Sequence, residues 1–235
     1  MSVGTPIDIK GDDNLLSLLQ RANPDELGAF VDYLTDSGNG RVSLSNDVCA
    51  ALVRAKTQRA YTEAILRTMI REFQLFGGNS IINIFRSGGV RYSEILFDVL
   101  EHLKGLREDG DSIADIELKV LKKLWGLTLE GVSREQRAEL LRKFESEQAG
   151  NSGGTDYLNL ARLLFSAMAA SSFGIAGGAA ASVGFVSTRA ISTALGPIGL
   201  ALSGVWGTYN LTSAAYRVTV PCVVLVAYLR IKQNA

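Results

Sequence analysis

Apolar residues recur at three- and four-residue spacing through almost the whole front of this chain, and alternation of period two is scarce, so the pattern predicts helices rather than strands. Leu15, Leu16, Leu18 and Leu19 make a short apolar helix. Asn23-Pro24-Asp25-Glu26 then reads as an N-cap, a proline at the first helical position and acids in the first turn. The helix that follows carries Leu27, Phe30, Val31 and Leu34 on one face and stops before the Gly38-Asn39-Gly40 turn. Over 61–76, Ile65, Leu66, Met69, Ile70, Phe73 and Phe76 form an apolar stripe with Arg67 and Arg71 on the wet side, and Gly77-Gly78 ends it. A short helix over 81–85 ending at Gly88-Gly89, and a longer one over 93–106, are expected next. Ser112 can cap a helix burying Ile116, Val120, Leu121 and Leu124. Ser133 and Gln136 have capping-box spacing for a helix over 134–146.

The pattern changes at 150–154, Gly-Asn-Ser-Gly-Gly, which reads as a linker. It divides the chain into a small helical N-terminal domain over 1–55, a second helical domain over 56–149 and an apolar region over 155–235. In that last region positions 163–188 and 190–216 carry no charge, with Arg189 between them. Each run exceeds the roughly 20 residues that a helix needs to cross a hydrocarbon core. Composition weakens that reading. Leucines and phenylalanines favour insertion by about 0.3–0.6 kcal/mol each, whereas a glycine costs a helix interior about 1 kcal/mol relative to alanine. Small residues such as Gly174, Gly178, Gly184, Gly199 and Gly204 suit close helix packing, in a soluble core or in a membrane. Gly196-Pro197-Ile198-Gly199 breaks the second run, and Pro221 should kink the last helix or mark its start. Trp206, Tyr209, Tyr216 and Tyr228 suit either a membrane interface or a bundle core. The expected fold is all-α: a multi-helix bundle with a C-terminal apolar, glycine-rich helical hairpin and a final kinked helix.

Charge adds a restriction. The 235 residues balance 24 basic against 24 acidic side chains. Residues 155–235 hold one acid, Asp156, against Arg162, Arg189, Arg217, Arg230 and Lys232, which leaves the front net acidic. A net-acidic front argues against nucleic acid, whose phosphates select clustered lysine and arginine. Cys49 and Cys222 lack metal or redox spacing. The N-terminal residues have neither a basic start nor an apolar run, so no secretory signal is expected, and the location read from this is cytoplasmic, peripheral to or integral in an inner membrane.

Chemistry is nearly absent. His102 is the only histidine, no phosphate-binding loop or nucleophile elbow is present, and no catalytic, cofactor or metal residue is proposed. Asp36-Ser37-Gly38-Asn39-Gly40 lacks the carboxylates of a calcium loop, and Glu108, Asp109 and Asp111 read as a solvated acidic loop. One stretch is unusual, Phe76-Gly77-Gly78-Asn79-Ser80-Ile81-Ile82-Asn83-Ile84-Phe85-Arg86. Gly77 suits a helix stop, and Asn79 or Ser80 suits a cap. Asn83 and Arg86, one turn apart, suit a partner's carboxylate or a neighbouring carbonyl. An enzyme site around Asn79, Ser80, Asn83 and Arg86 would need a polar pocket joining them to Glu94 or Asp98.

That stretch and its continuation Gly88-Gly89-Val90-Arg91-Tyr92-Ser93-Glu94-Ile95-Leu96-Phe97-Asp98-Val99, with Ser213-Ala214-Ala215-Tyr216-Arg217-Val218-Thr219-Val220-Pro221, resembles the YaaW-like family of uncharacterised bacterial proteins. The segment from Leu15 to Ala51 resembles the small helical domain that precedes many of them. Some members carry a ubiquinol–cytochrome c chaperone-like label, which implies an assembly or membrane-proximal role. The resemblance supplies no catalytic residues. The function expected is a non-enzymatic, membrane-interacting helical protein, whose hairpin is packed away in a soluble form and inserts or oligomerises at a membrane in the manner of a pore-forming or defence-type effector. The alternative is a soluble helical chaperone or adaptor. Membrane lipid, a protein partner and further copies of the chain are the partners expected, and nucleic acid is not.

Overall fold

The helix apolar on every side is the one at the centre. In the computed structural model, which describes residues 6–41, 44–78, 89–148, 155–170 and 215–235, the helix Tyr216–Asn234 buries Tyr216 and every residue from Val218 to Leu229. A helix hydrophobic all round has no face to offer water and must be enclosed. The described residues before it form eight helices: α1 (Asp13–Gln20), α2 (Pro24–Thr35), α3 (Asn46–Gln58), α4 (Glu63–Gly78), α5 (Tyr92–His102), α6 (Ile113–Glu130), α7 (Arg134–Gln148) and α8 (Thr155–Ala170). The central helix is α9. It packs against α8, α2, α6, α4, α5 and α1, and no strand occurs among the described residues.

Local chemistry sets the helix ends where the punctuation predicted. The Asn23 side-chain oxygen accepts the N–H of Glu26 at 2.9 Å, and the Glu26 carboxylate accepts the Asn23 N–H at 2.8 Å, a complete capping box. Asp36, Ser37 and Gly38 then turn left-handed (φ 53°, 56° and 89°), and the Gly40 N–H donates to the Thr35 carbonyl at 2.8 Å. Ser112 and Ser133 cap α6 and α7, accepting the N–H of Asp115 at 3.2 Å and of Gln136 at 3.3 Å. The expected stripe on α4 is buried through Leu66, Met69, Ile70, Phe73 and Phe76, with Phe73 edge-on to Phe30 at 5.4 Å.

Two expectations need correction. The helix predicted over 93–106 stops at His102. Lys104 is left-handed (φ 58°) and the Gly105 N–H bonds back to the Leu100 carbonyl at 2.9 Å, so the chain reverses and leaves Leu106 81% exposed. Pro221 does not mark the start of the last helix, which begins at Tyr216. The residue lies inside α9, where its missing N–H leaves the Arg217 carbonyl without the usual partner.

α3 carries only Leu52 and Ala55 as buried residues, too sparse a stripe to stand out in the sequence, and position 55 lies within it. Buried residues from Ile9 to Leu229 join one cluster to which all nine described helices contribute, α3 through Leu52 and α7 through Leu140. The first part of the uncharged run over 163–188 belongs to this core, since Leu164, Phe165 and Met168 of α8 are buried. Tyr216 and Tyr228 are core residues as well. No described helix is long and apolar enough to cross a membrane. The linker over 150–154 and, within the apolar region expected over 155–235, positions 171–214 with Gly174, Gly178, Gly184, Gly199 and Gly204 lie outside the described residues.

Candidate functional site

α8 packs against α9, and Phe165 of α8 meets the Tyr33 ring of α2 at 6.1 Å. In the chain the run over 171–214 joins the end of α8 to the start of α9, and both helices contribute to the same core.

The two motifs singled out in the sequence come together at the start of α9. The Arg41 Nε donates to the Tyr33 carbonyl at 3.2 Å, its guanidinium lies 5.9 Å from the centre of the Phe76 ring, and Asp36 is 3.8 Å away. Burial holds Arg41 below its usual pKa; Asp36 opposes this and Arg217 adds to it. Arg41 thus lies over Phe76 of the first motif and feels the charge of Arg217 of the second. Next to them Tyr216 stacks on His102 with ring centres 4.0 Å apart, and its hydroxyl, hydrogen-bonded to Asp98, is pushed up in pKa by burial and by that carboxylate. His102 is thus an aromatic platform. Among the described residues no group of three or more His, Cys, Asp and Glu side chains is placed to hold a metal ion.

Gly77 and Gly78 close α4, and Gly77 has a packing reason: a Cβ there would overlap the Ile95 side chain. Gly89 (φ 71°) lies against the Gln74 backbone, where a Cβ would come within 3.0 Å of the Gln74 carbonyl carbon, and the Val90 N–H donates to Gln74 O at 3.1 Å. The two ends of the segment between Gly78 and Gly89 are thereby pinned together. Asn79, Ser80, Asn83 and Arg86 lie outside the described residues.

At the far end α9 is fastened by charges that periodicity alone did not find. The Glu117 carboxylate, 2% exposed, accepts the Tyr92 hydroxyl at 2.7 Å and the Arg230 Nε at 2.7 Å. Lys232 donates to the buried Glu26 at 2.6 Å, so one carboxylate both caps α2 and holds α9. Gln233 bonds the Leu18 carbonyl at 3.0 Å and accepts Arg21 at 2.7 Å. Asp12 accepts Gln74 at 2.7 Å and the Tyr92 N–H at 2.8 Å. Burial pushes the Asp12, Asp32 and Glu117 carboxyls above their ordinary range, against the pull of their hydrogen-bond partners. A signal for Glu117 was present in the sequence: it stands three and four positions before Val120 and Leu121, inside the apolar stripe.

No family model matches the chain, and no solved structure matches it. A UPF0174 protein of Helicobacter pylori strain ATCC 700392 / 26695 is 35% identical, over 72% of this chain and 89% of that protein. A second, from Helicobacter pylori strain J99, is 34% identical with the same coverage. The UPF0174 protein YaaW of Escherichia coli strain K12 is 28% identical over 93% of this chain and 94% of its own length. These similarities agree with the resemblance read from the motifs, and the chain belongs to the UPF0174 family.

Proposed function

We propose that this chain is a non-enzymatic, membrane-interacting protein whose bundle holds both ends of the run over 171–214 and gives that run up to a bilayer under the right conditions, alone or with further copies. What supports this best is that both helices flanking the run, α8 and α9, are buried in one core, with Leu164, Phe165 and Met168 before the run and Tyr216 and Val218 after it. By sequence the run carries a single charge, Arg189, and so needs either protein or lipid around it. Its many glycines and serines leave insertion energetically marginal, which suits a conditional response better than a permanent anchor.

The test is leakage of dye from vesicles exposed to the full chain. Leakage is expected, and Ile175→Asp with Leu200→Asp should abolish it, since an acid at mid-bilayer opposes insertion by about 2.5–3.5 kcal/mol. A chain that neither sediments with vesicles nor releases dye, at neutral or acidic pH, sinks this reading in favour of a soluble adaptor that binds another protein.

A further inference from the structure

Between the C-terminal halves of α5 and α6 lies an open groove of about 480 Å³, within the range of small-ligand sites. Its floor is apolar, with Leu100, Leu103 and Leu127 buried beneath it. Four lysines against two glutamates line it, leaving it net positive. One of the four, Lys119, is held by Glu108 at 3.1 Å and by Asp111 at 2.8 Å. Lys104, Lys122 and Lys123 are exposed, and Lys122 lies 5.0 Å from the ring centre of the exposed Tyr157. Leu106, also in the lining, is 81% exposed.

A second observation points to an occupant. Gly126 sits in the interior of α6, where glycine costs about 1 kcal/mol relative to alanine. No packing demand explains it, because a Cβ there would meet nothing within 4 Å, and the open space it preserves is the groove. Apolar floor, cationic rim, exposed leucine and exposed aromatic together match an interfacial contact with lipid.

We propose that this groove seats the phosphate headgroup of an anionic phospholipid, with Lys104, Lys122 and Lys123 as the cationic contacts and Leu106 entering the acyl boundary. The loop carrying Leu106 follows His102, which stacks on Tyr216 at the start of α9. A headgroup bound there turns toward the bilayer the start of α9, the helix that the run over 171–214 precedes in the chain. The inference rests on the membrane-interacting reading and adds to it a lipid class and a binding site.

The experiment is sedimentation of the full chain with vesicles of phosphatidylcholine alone or mixed with phosphatidylglycerol. Binding should require phosphatidylglycerol and weaken in high salt. Each lysine changed to glutamine should lower partitioning about fivefold, and Lys104→Gln, Lys122→Gln and Lys123→Gln together about a hundredfold. Gly126→Leu should also lower it while leaving the melting temperature unchanged or higher, which separates a filled groove from a damaged fold. Wild-type affinity in both the triple variant and Gly126→Leu overturns the groove but leaves the membrane reading standing. Equal binding to phosphatidylcholine alone, or displacement by soluble glycerol phosphate, overturns the lipid assignment. A wild-type chain that sediments with neither vesicle removes both readings together.

Discussion

Changing Arg230 to methionine removes one partner of a buried carboxylate and leaves the other behind. Glu117 is 2% exposed and the Arg230 side chain 23%, so water reaches the pair from the arginine side only. Glu117 loses its cationic partner and keeps the Tyr92 hydroxyl at 2.7 Å. Stranding a buried charge in this way costs about 3–5 kcal/mol, reduced here toward the lower figure by the arginine's partial exposure. For a chain of this size each kcal/mol moves the melting temperature by about 2–4 °C, so R230M should melt roughly 6–12 °C lower. Replacing both partners, as Glu117→Leu with Arg230→Met, leaves no charge uncompensated and should recover most of that loss, although the Tyr92 hydroxyl then loses its acceptor. Thermal and urea unfolding of wild type, both single variants and the double variant complete the cycle. A loss under about 1 kcal/mol for R230M, or a double variant as unstable as the sum of the singles, refutes the claim that this pair is desolvated and coupled.

Two further outcomes follow from the packing and the carboxyls. Gly77→Ala should destabilise by about 1–3 kcal/mol through overlap with Ile95, and Ile95→Ala in the same chain should relieve part of it; additive losses by denaturant titration contradict the close contact. The pKa values of Asp12, Asp32 and Glu117 are raised by burial, so the folded state takes up protons before the unfolded state as pH falls. The cost of keeping these groups ionised is present at neutral pH and disappears as pH drops through their folded values toward the ordinary carboxylate range near about 4. Urea midpoints should therefore hold or rise between neutral pH and that range, and a steady fall across it contradicts the assignment.

The helices with dense stripes and clear caps were readable from the residues because period and punctuation agreed, as in α2, α4 and α6. α3 was not, because its buried face is little more than Leu52 and Ala55. The end of α5 was misplaced because Leu103 and Leu106 continue an apolar spacing that the left-handed Lys104 interrupts, and lysine is not a residue that announces such a turn. Gly77 and Tyr216 could be picked out as unusual, but the packing of Gly77 against Ile95 and the hydrogen bond from Tyr216 to Asp98 are long-range facts that no local pattern holds. Glu26 looks like a solvent-facing acid of a first helical turn until the helix carrying Lys232 is laid against it, whereas Glu117 already stands inside an apolar stripe and lacks only its partner Arg230.

The helix at the centre of the bundle is also the last of the nine described helices to leave the ribosome. The other eight described helices emerge before α9, on which six of them pack, and the weakly charged run over 171–214 precedes it. At translation rates of about 5–20 residues per second, the interval between the end of α8 and the start of α9 lasts roughly 2–9 seconds. Throughout that interval the apolar faces that pack on α9 lack it, so the core described above closes only once α9 has been synthesised.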